Sequence, residues 1–251
     1  MKKTLFLICL FVILFYNQSH AILIASEDFD YKNGSLNGDN GGFGWGDSWK
    51  VWFGSTVVNN GDAIVADNSW TYRKLKSAEI INAGQLWLSF TAQEIDPVNT
   101  FAGLSLFNGF NEQGFYGDPY AWGKTWGLQP TGLPNGSQLS NSELPASKKS
   151  LLVGRYDVNH GHGTMTLWDN PTSLNEDAAI AHGTFNGLLM FDTVRLSTGD
   201  GVMTFDDIKI GTESSDVFTK VNISPEPNII FLFLMCIIAI VIHKLYKWYK
   251  C

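Results

Sequence analysis

The sequence is short of cysteine where a folded domain would use it. Its three cysteines, Cys9, Cys236 and Cys251, all lie near the two ends of the 251-residue chain. The long region between them therefore has neither a disulfide nor a cysteine-ligated zinc site. A domain built there must be stabilised by packing alone, and the 45% hydrophobic content provides enough apolar material for one sizeable core.

Basic residues are also scarce. The chain has 17 Lys and Arg against 24 Asp and Glu, which gives a formal net charge of −7. Five of the bases lie at the two termini, so residues 22–228 carry a charge near −12. Nucleic acids and anionic membrane surfaces both require a basic face on their partner, and this region is not expected to bind either.

Residues 22–217 show no long amphipathic helix and no internal repeat; they show short alternating segments instead. In residues 85–92, Leu86, Leu88 and Phe90 share one face, as in a half-buried strand. Further strands are predicted at 22–29, 49–53, 69–75, 101–107, 151–158, 164–168, 188–196 and 202–210. Many short strands without βαβ alternation predict an all-β, two-sheet jelly-roll sandwich.

The N-terminus has the order of a secretory signal peptide. Lys2 and Lys3 precede an apolar stretch from Leu5 to Tyr16, and Ala21 supplies a small residue for cleavage. The apolar stretch is too short to span a bilayer comfortably, which favours a cleaved signal peptide at residues 1–21 over a signal anchor.

The C-terminus has a second apolar run, from Ile229 to Ile242. A helix reaching Tyr249 would be about 30 Å long, enough to cross the hydrocarbon of a membrane. The basic end after this run should remain cytoplasmic. The sequence thus predicts a linker at 218–228 and a transmembrane tail at 229–251. The flanking residues are Pro225, Glu226 and Pro227 before the run, and Lys244, Lys247 and Lys250 after it.

This arrangement of Pro225-Glu226-Pro227, membrane span and basic end resembles the PEP-CTERM sorting signal of Gram-negative bacteria. The resemblance implies recognition by an exosortase, a membrane-embedded protein similar to cysteine transpeptidases. It also implies removal of the span, so that an inner-membrane-anchored precursor is delivered to the cell surface or the extracellular matrix. The alternative is an ordinary membrane anchor.

Residues 27–45 (EDFDYKNGSLNGDNGGFGW) open the central region, and residues 205–211 (FDDIKIG) close it. Together they resemble the laminin-G-like, concanavalin A-like lectin/glucanase domains of exported bacterial surface proteins. The resemblance implies one jelly-roll domain at 22–217, in which the first and last strands pair side by side.

Trp87 and Trp168 share the polar faces of their strands with Ser or Thr. An aromatic plate beside hydroxyl groups suits a sugar, so both residues are candidates for binding polysaccharide. The alternative is that a long loop covers this face. The segment 108–126 is expected to be that cover or a binding loop. Its candidate residues are Asn111, Tyr116, Asp118, Tyr120, Trp122 and Trp126.

Four carboxylates would meet if the terminal strands pair, and their oxygens suit a structural calcium ion. The alternative is that they are solvated carboxylates and turn caps. The four are Asp28, Asp30, Asp206 and Asp207.

Glu94 and Asp96 begin the Glu-x-Asp-x-x-Glu pattern of a retaining glucanase, but Asn99 stands where the last glutamate is needed. Both are expected to close their strand at a solvated turn. We therefore expect no catalytic residues and a non-catalytic polysaccharide-binding domain. The alternatives are a structural surface protein without a ligand site and a divergent glycoside hydrolase.

Overall fold

The computed structural model describes residues 21–96, 100–119, 124–131 and 140–218. Within these ranges no helix combines the length and apolarity needed to cross a membrane. The predicted sorting motif Pro225-Glu226-Pro227 and the tail after it lie outside the described residues, as do the signal peptide before Ala21 and the candidates Tyr120 and Trp122.

Strands dominate the described part of the chain. They are β1 (Leu23–Glu27), β2 (Gly34–Ser35), β3 (Lys50–Phe53), β4 (Thr56–Asn59), β5 (Asp62–Val65), β6 (Ser69–Ile81), β7 (Ala83–Asp96), β8 (Ala102–Asn108), β9 (Asn111–Asp118), β10 (Thr125–Gln129), β11 (Ser140–Pro145), β12 (Ser150–Asn159), β13 (His162–Asp169), β14 (Ala181–Asn186), β15 (Leu189–Thr198) and β16 (Val202–Gly211). A 3-10 turn at Glu176–Ala178 and the short helix α1 (Ser214–Val217) complete the described elements.

The strands form two antiparallel sheets. The nine-stranded sheet has the order β14-β13-β12-β7-β16-β5-β4-β2, with β1 also paired to β16. The seven-stranded sheet has the order β11-β10-β9-β8-β15-β6-β3. The predicted all-β class is confirmed, and the two sheets are consistent with a jelly-roll sandwich.

The first and last strands pair, as the resemblance implied. In this pairing Leu23 lies opposite Gly211, and Glu27 lies opposite Ile208. β16 also pairs with β5 and β7, so the C-terminal strand lies inside the nine-stranded sheet and has paired backbone on both sides.

The core lies between the two sheets and follows the predicted alternation. Leu86, Leu88 and Phe90 are fully buried, as are Met165 and Leu167 of β13. Because successive strand residues point to opposite faces, these two strands alone place five large side chains in the core.

A buried ion pair fixes the opening segment to the sheets. Arg73 and Glu27 have no exposed side-chain area, and Nη1 of the arginine lies 2.5 Å from Oε2 of the glutamate. Glu27 also accepts hydrogen bonds from the Tyr31 hydroxyl (2.8 Å) and the Trp49 indole (2.9 Å). Burial and the neighbouring Glu27 carboxylate raise the pKa of Tyr31 to about 12. This network gives residues 27–49 a structural role.

Candidate functional site

Trp87 and Trp168 share the outer face of the nine-stranded sheet, as predicted, but they form a closed stack. Their ring centroids are 5.8 Å apart, with an angle of 19° between the planes. Trp168 is fully buried and Trp87 is 5% exposed. The Arg155 guanidinium lies 5.3 Å from each ring. The hypothesis of an open sugar platform here is wrong, because neither ring has a free face.

Two segments cover this stack. Leu174 and Ala179 come from the connection after β13, while Val217 and Phe218 come from the C-terminal end of the described chain. The Ser89 hydroxyl donates to the Val217 carbonyl oxygen at 2.8 Å. The alternative of a covered face therefore holds, with a cover other than the segment 108–126.

Residues 108–126 were expected to form a cover or a binding loop, and that expectation is wrong for the described residues. They include β9 and the start of β10, inside the seven-stranded sheet. Tyr116, Asp118 and Trp126 are fully buried and Asn111 is exposed. Consecutive residues of β9 and β10 are buried, so both faces of these strands are covered and Tyr116, Asp118 and Trp126 are not exposed on a loop.

Glu94 is buried rather than placed at a solvated turn, while Asp96 is exposed. The Glu94 side chain meets Asp118 of the opposite sheet. Burial first, and then the hydrogen bond to Asp118 and its negative charge, raise the pKa of Glu94 to about 9. The pKa of Asp118 is also raised, because the effect of burial exceeds the opposing effect of the hydrogen bond from Glu94. Burial of the two carboxyls therefore favours one shared proton, with Glu94 as the donor and Asp118 as the acceptor.

The predicted calcium ligands are not assembled into a site. In the described ranges, no group of three or more His, Cys, Asp or Glu side chains could hold a metal ion. The pairing of β16 with β1 begins only at Ile208, and Asp206 lies opposite Thr91 of β7 instead. Burial, together with Asp207 and Asp62, raises the pKa of Asp206 to about 6. The candidate set of Asp28, Asp30, Asp206 and Asp207 is thus divided by strand register.

The outer face of the seven-stranded sheet carries an exposed aromatic patch. Trp52 is 62% exposed and Phe110 is 87% exposed, and their ring centroids are 6.2 Å apart. Trp52 also contacts Trp70 at 6.1 Å and Tyr72 at 6.2 Å. We call Trp52, Phe53, Trp70, Tyr72 and Phe110 the aromatic patch. Several large exposed rings in one cluster are typical of an interaction site.

A cavity of about 200 Å³ lies on the same sheet, and we call it the Arg195 cavity. The Arg195 guanidinium connects it to the aromatic patch, since it lies 5.5 Å from the Trp70 ring centroid. It also lies 4.2 Å from the Phe107 ring and is paired with Glu112, with 2.9 Å between Nη2 and Oε1. The cavity is lined by Phe101, Glu112, Phe115, Gln129 and Arg195.

Neither the aromatic patch nor the Arg195 cavity was predicted from the sequence, although part of the signal is present. A strand was predicted at 69–75, but its faces were not assigned. In β6, Trp70 and Tyr72 are partly exposed, whereas Thr71 and Arg73 are buried. The alternation of β6 could therefore have placed two aromatic rings on one face. The contribution of Arg195 depends on the pairing of β15 with β6 and β8, which the sequence alone does not reveal.

The fold and site together define a two-sheet antiparallel β-sandwich with an aromatic and charged outer face. No protein-family model and no curated protein matches the sequence. Solved structures show distant likenesses. The binding domain of botulinum neurotoxin DC, in complex with SialylT, is 13% identical with a TM-score of 0.48, over 76% of this chain and 48% of that chain.

The similarity to two other solved structures extends over nearly the whole length of those proteins. A glycosyl hydrolase family 16 protein from Mycobacterium smegmatis is 8% identical with a TM-score of 0.45, over 75% of this chain and 100% of that chain. Peanut lectin is 7% identical with a TM-score of 0.43, over 77% of this chain and 98% of that chain.

Proposed function

We propose that this chain is an exported surface protein whose β-sandwich binds polysaccharide without cleaving it, through the aromatic patch and the Arg195 cavity. The aromatic patch is the observation that carries the proposal. Its rings provide apolar faces for the C–H surfaces of sugars, and the adjacent Arg195 and Glu112 provide a donor and an acceptor for hydroxyl groups.

Binding to polysaccharide columns or to an array of immobilised glycans tests the proposal, with the full chain kept in detergent. Trp52→Ala should reduce glycan binding by about tenfold, which corresponds to the loss of about 1.4 kcal/mol, a value within the range of a single aromatic ring contact. Ile95→Ala is the matched control, since Ile95 is 58% exposed but lies on β7 of the other sheet. Equal binding by both variants would assign the patch to another role.

Non-catalytic binding is part of the proposal. Glycosidases use a pair of carboxylates, whereas Glu112 is the single carboxylate among the described residues that line the Arg195 cavity. Incubation with soluble glucans and measurement of new reducing ends provides the test. We expect the wild-type protein to release no more reducing ends than the Glu112→Gln variant. Release of reducing ends that depends on Glu112 would make the protein a glycoside hydrolase.

Export and sorting are supported by the sequence. The signal peptide at 1–21 would direct secretion, and an exosortase would recognise Pro225-Glu226-Pro227 before the predicted span. Mass spectrometry of surface-extracted protein tests this. We expect the mature chain to lack residues 229–251 in a host with an exosortase, and Glu226→Ala to block that processing. Retention of residues 229–251 in the wild-type protein would make the tail an ordinary anchor.

A further inference from the structure

Arg195 and Glu112 present a donor and an acceptor side by side at one cavity wall. Arg195 lies on β15 and Glu112 on β9, with β8 between these strands. Their side chains are 19% and 21% exposed, and both line the Arg195 cavity. Phe107 and Trp70 flank the guanidinium, which restricts its movement. The pair is therefore fixed in place and still accessible from the cavity.

The polar groups around Arg195 are not fully paired within the described protein. Nε of Arg195 has no hydrogen-bond partner, and the same is true of Nε1 of Trp70 and of the hydroxyls of Ser105 and Ser197. Ser105 lies opposite Arg195 in the pairing of β8 with β15. Buried polar groups without partners are uncommon, and three of them accompany the unpaired Nε of Arg195, so the surroundings of this side chain are unusually polar.

The charge of the cavity favours a neutral ligand. The Arg195–Glu112 ion pair has no net charge, and residues 22–228 together carry a charge near −12. The negative charge of the domain would repel an anionic sugar. The Arg195 guanidinium would not offset this repulsion, because it is already paired with Glu112. A neutral ligand that has both a hydrogen-bond donor and an acceptor can bind to Arg195 and Glu112 without this electrostatic repulsion.

The distance between the Arg195 and Glu112 side chains determines which arrangement of sugar hydroxyl groups can bind to both. Nη2 of Arg195 and Oε1 of Glu112 are 2.9 Å apart, similar to the separation of hydroxyl oxygens on neighbouring carbons of a sugar ring. One such hydroxyl can accept from Arg195 while its neighbour donates to Glu112. A cavity of about 200 Å³ is smaller than the ~300 Å³ or more of drug-sized pockets, which suits a single sugar unit.

Resting on the proposed carbohydrate binding, we propose that the Arg195 cavity selects neutral polysaccharide units that keep two neighbouring free hydroxyl groups. Phe101 and Phe115, whose ring centroids are 6.3 Å apart, form its apolar wall. The aromatic patch binds adjacent units with less selectivity, because ring stacking does not distinguish hydroxyl positions.

Three kinds of polymer test the proposal against the full chain in detergent. Dextran, amylose and galactomannan keep neighbouring free hydroxyls on their chain units. Curdlan is neutral, but its linkage separates the free hydroxyls within the chain. Alginate keeps neighbouring hydroxyls and adds a carboxylate to each unit. We expect at least one polymer of the first kind to bind about tenfold more tightly than curdlan and alginate, because a lost hydrogen bond to a charged group costs about this factor.

Two variants distinguish this proposal from carbohydrate binding in general. Glu112→Gln should remove the preference over curdlan, since the charged acceptor is lost and Arg195 is left without its partner. Phe110→Ala should weaken binding to all polymers and leave the preference unchanged. The midpoint of thermal unfolding of each variant verifies that it is folded.

The outcomes separate the two proposals. The protein could bind curdlan as tightly as dextran, amylose and galactomannan and lose this binding in Trp52→Ala. That result would overturn the selection of neighbouring hydroxyls and leave carbohydrate binding in place. A preference for alginate, or a preference that survives Glu112→Gln, would also overturn it. Failure of the protein to bind any polymer of the three kinds would overturn the proposed function together with this inference.

Discussion

Arg73 on β6 and Glu27 on β1 form an ion pair with no exposed side-chain area on either partner. They connect the two sheets, since β1 belongs to the nine-stranded sheet and β6 to the seven-stranded sheet. The Arg73 guanidinium also lies 5.0 Å from the Trp45 ring and 5.8 Å from the Trp49 ring. Removing one partner would leave a buried charge without compensation.

Arg73→Met should therefore lower the free energy of unfolding by about 3–5 kcal/mol, the usual cost of breaking a buried pair on one side. Urea denaturation measures this loss of free energy. The matched control is Lys149→Met. Lys149 pairs with Asp62 at 3.1 Å, but its side chain is 49% exposed, so the change should cost less than about 1 kcal/mol. Equal losses in the two variants would contradict this account of the buried pair.

Trp168→Ala should lower the free energy of unfolding by about 3–5 kcal/mol, because it removes a fully buried ring from the stack with Trp87. Trp52→Ala, at an exposed ring, should change it by no more than about 0.5 kcal/mol. Chemical denaturation of both variants compares the two tryptophans. A stable Trp168→Ala protein with weakened glycan binding would restore the sugar-platform hypothesis.

Glu94 should make the protein less stable as pH rises. Its carboxyl has a pKa of about 9 in the folded chain against an ordinary value of 4.5. Between these values the folded state holds a proton that the unfolded state releases, so the free energy of unfolding falls with increasing pH. Glu94→Gln keeps a donor for Asp118 and cannot ionise, so its stability curve should be flatter across this range.

Denaturation midpoints measured between pH 5 and about pH 9 test this dependence. Asp96→Asn is the control, because Asp96 is exposed on the same strand. It should follow the wild-type curve. A Glu94→Gln curve with the same slope as wild type would show that Glu94 is ionised at neutral pH.

Removal of β16 should abolish the cooperative unfolding transition. This strand pairs with β7 on one side and with β5 and β1 on the other. A chain that ends before Val202 would expose three strand edges and lose Met203, Phe205, Ile208 and Ile210 from the core. Circular dichroism during heating should show no sharp transition, whereas a chain that ends after Phe218 should retain it. A truncated chain with a full transition would mean that the sandwich folds without its last strand.

The sequence by itself determined the fold class and the orientation of several strands. The alternation in residues 85–92 and 164–168 correctly placed Leu86, Leu88 and Met165 in the core, because a strand directs successive side chains to opposite faces. It also placed Trp87 and Trp168 correctly on one outer face. The pairing of β1 with β16 was implied by the family resemblance that the two end segments carry.

Only the tertiary structure decided which outer face is available for binding. Alternation shows that a side chain points away from the core, but it does not show what packs over it. Trp87 is covered by Val217, more than a hundred positions away in the sequence, whereas Trp52 is left exposed. The meeting of Arg195 with Glu112 likewise depends on the order of β15, β8 and β9 in the sheet. Such contacts arise from non-local strand pairing, for which a local sequence pattern carries no information.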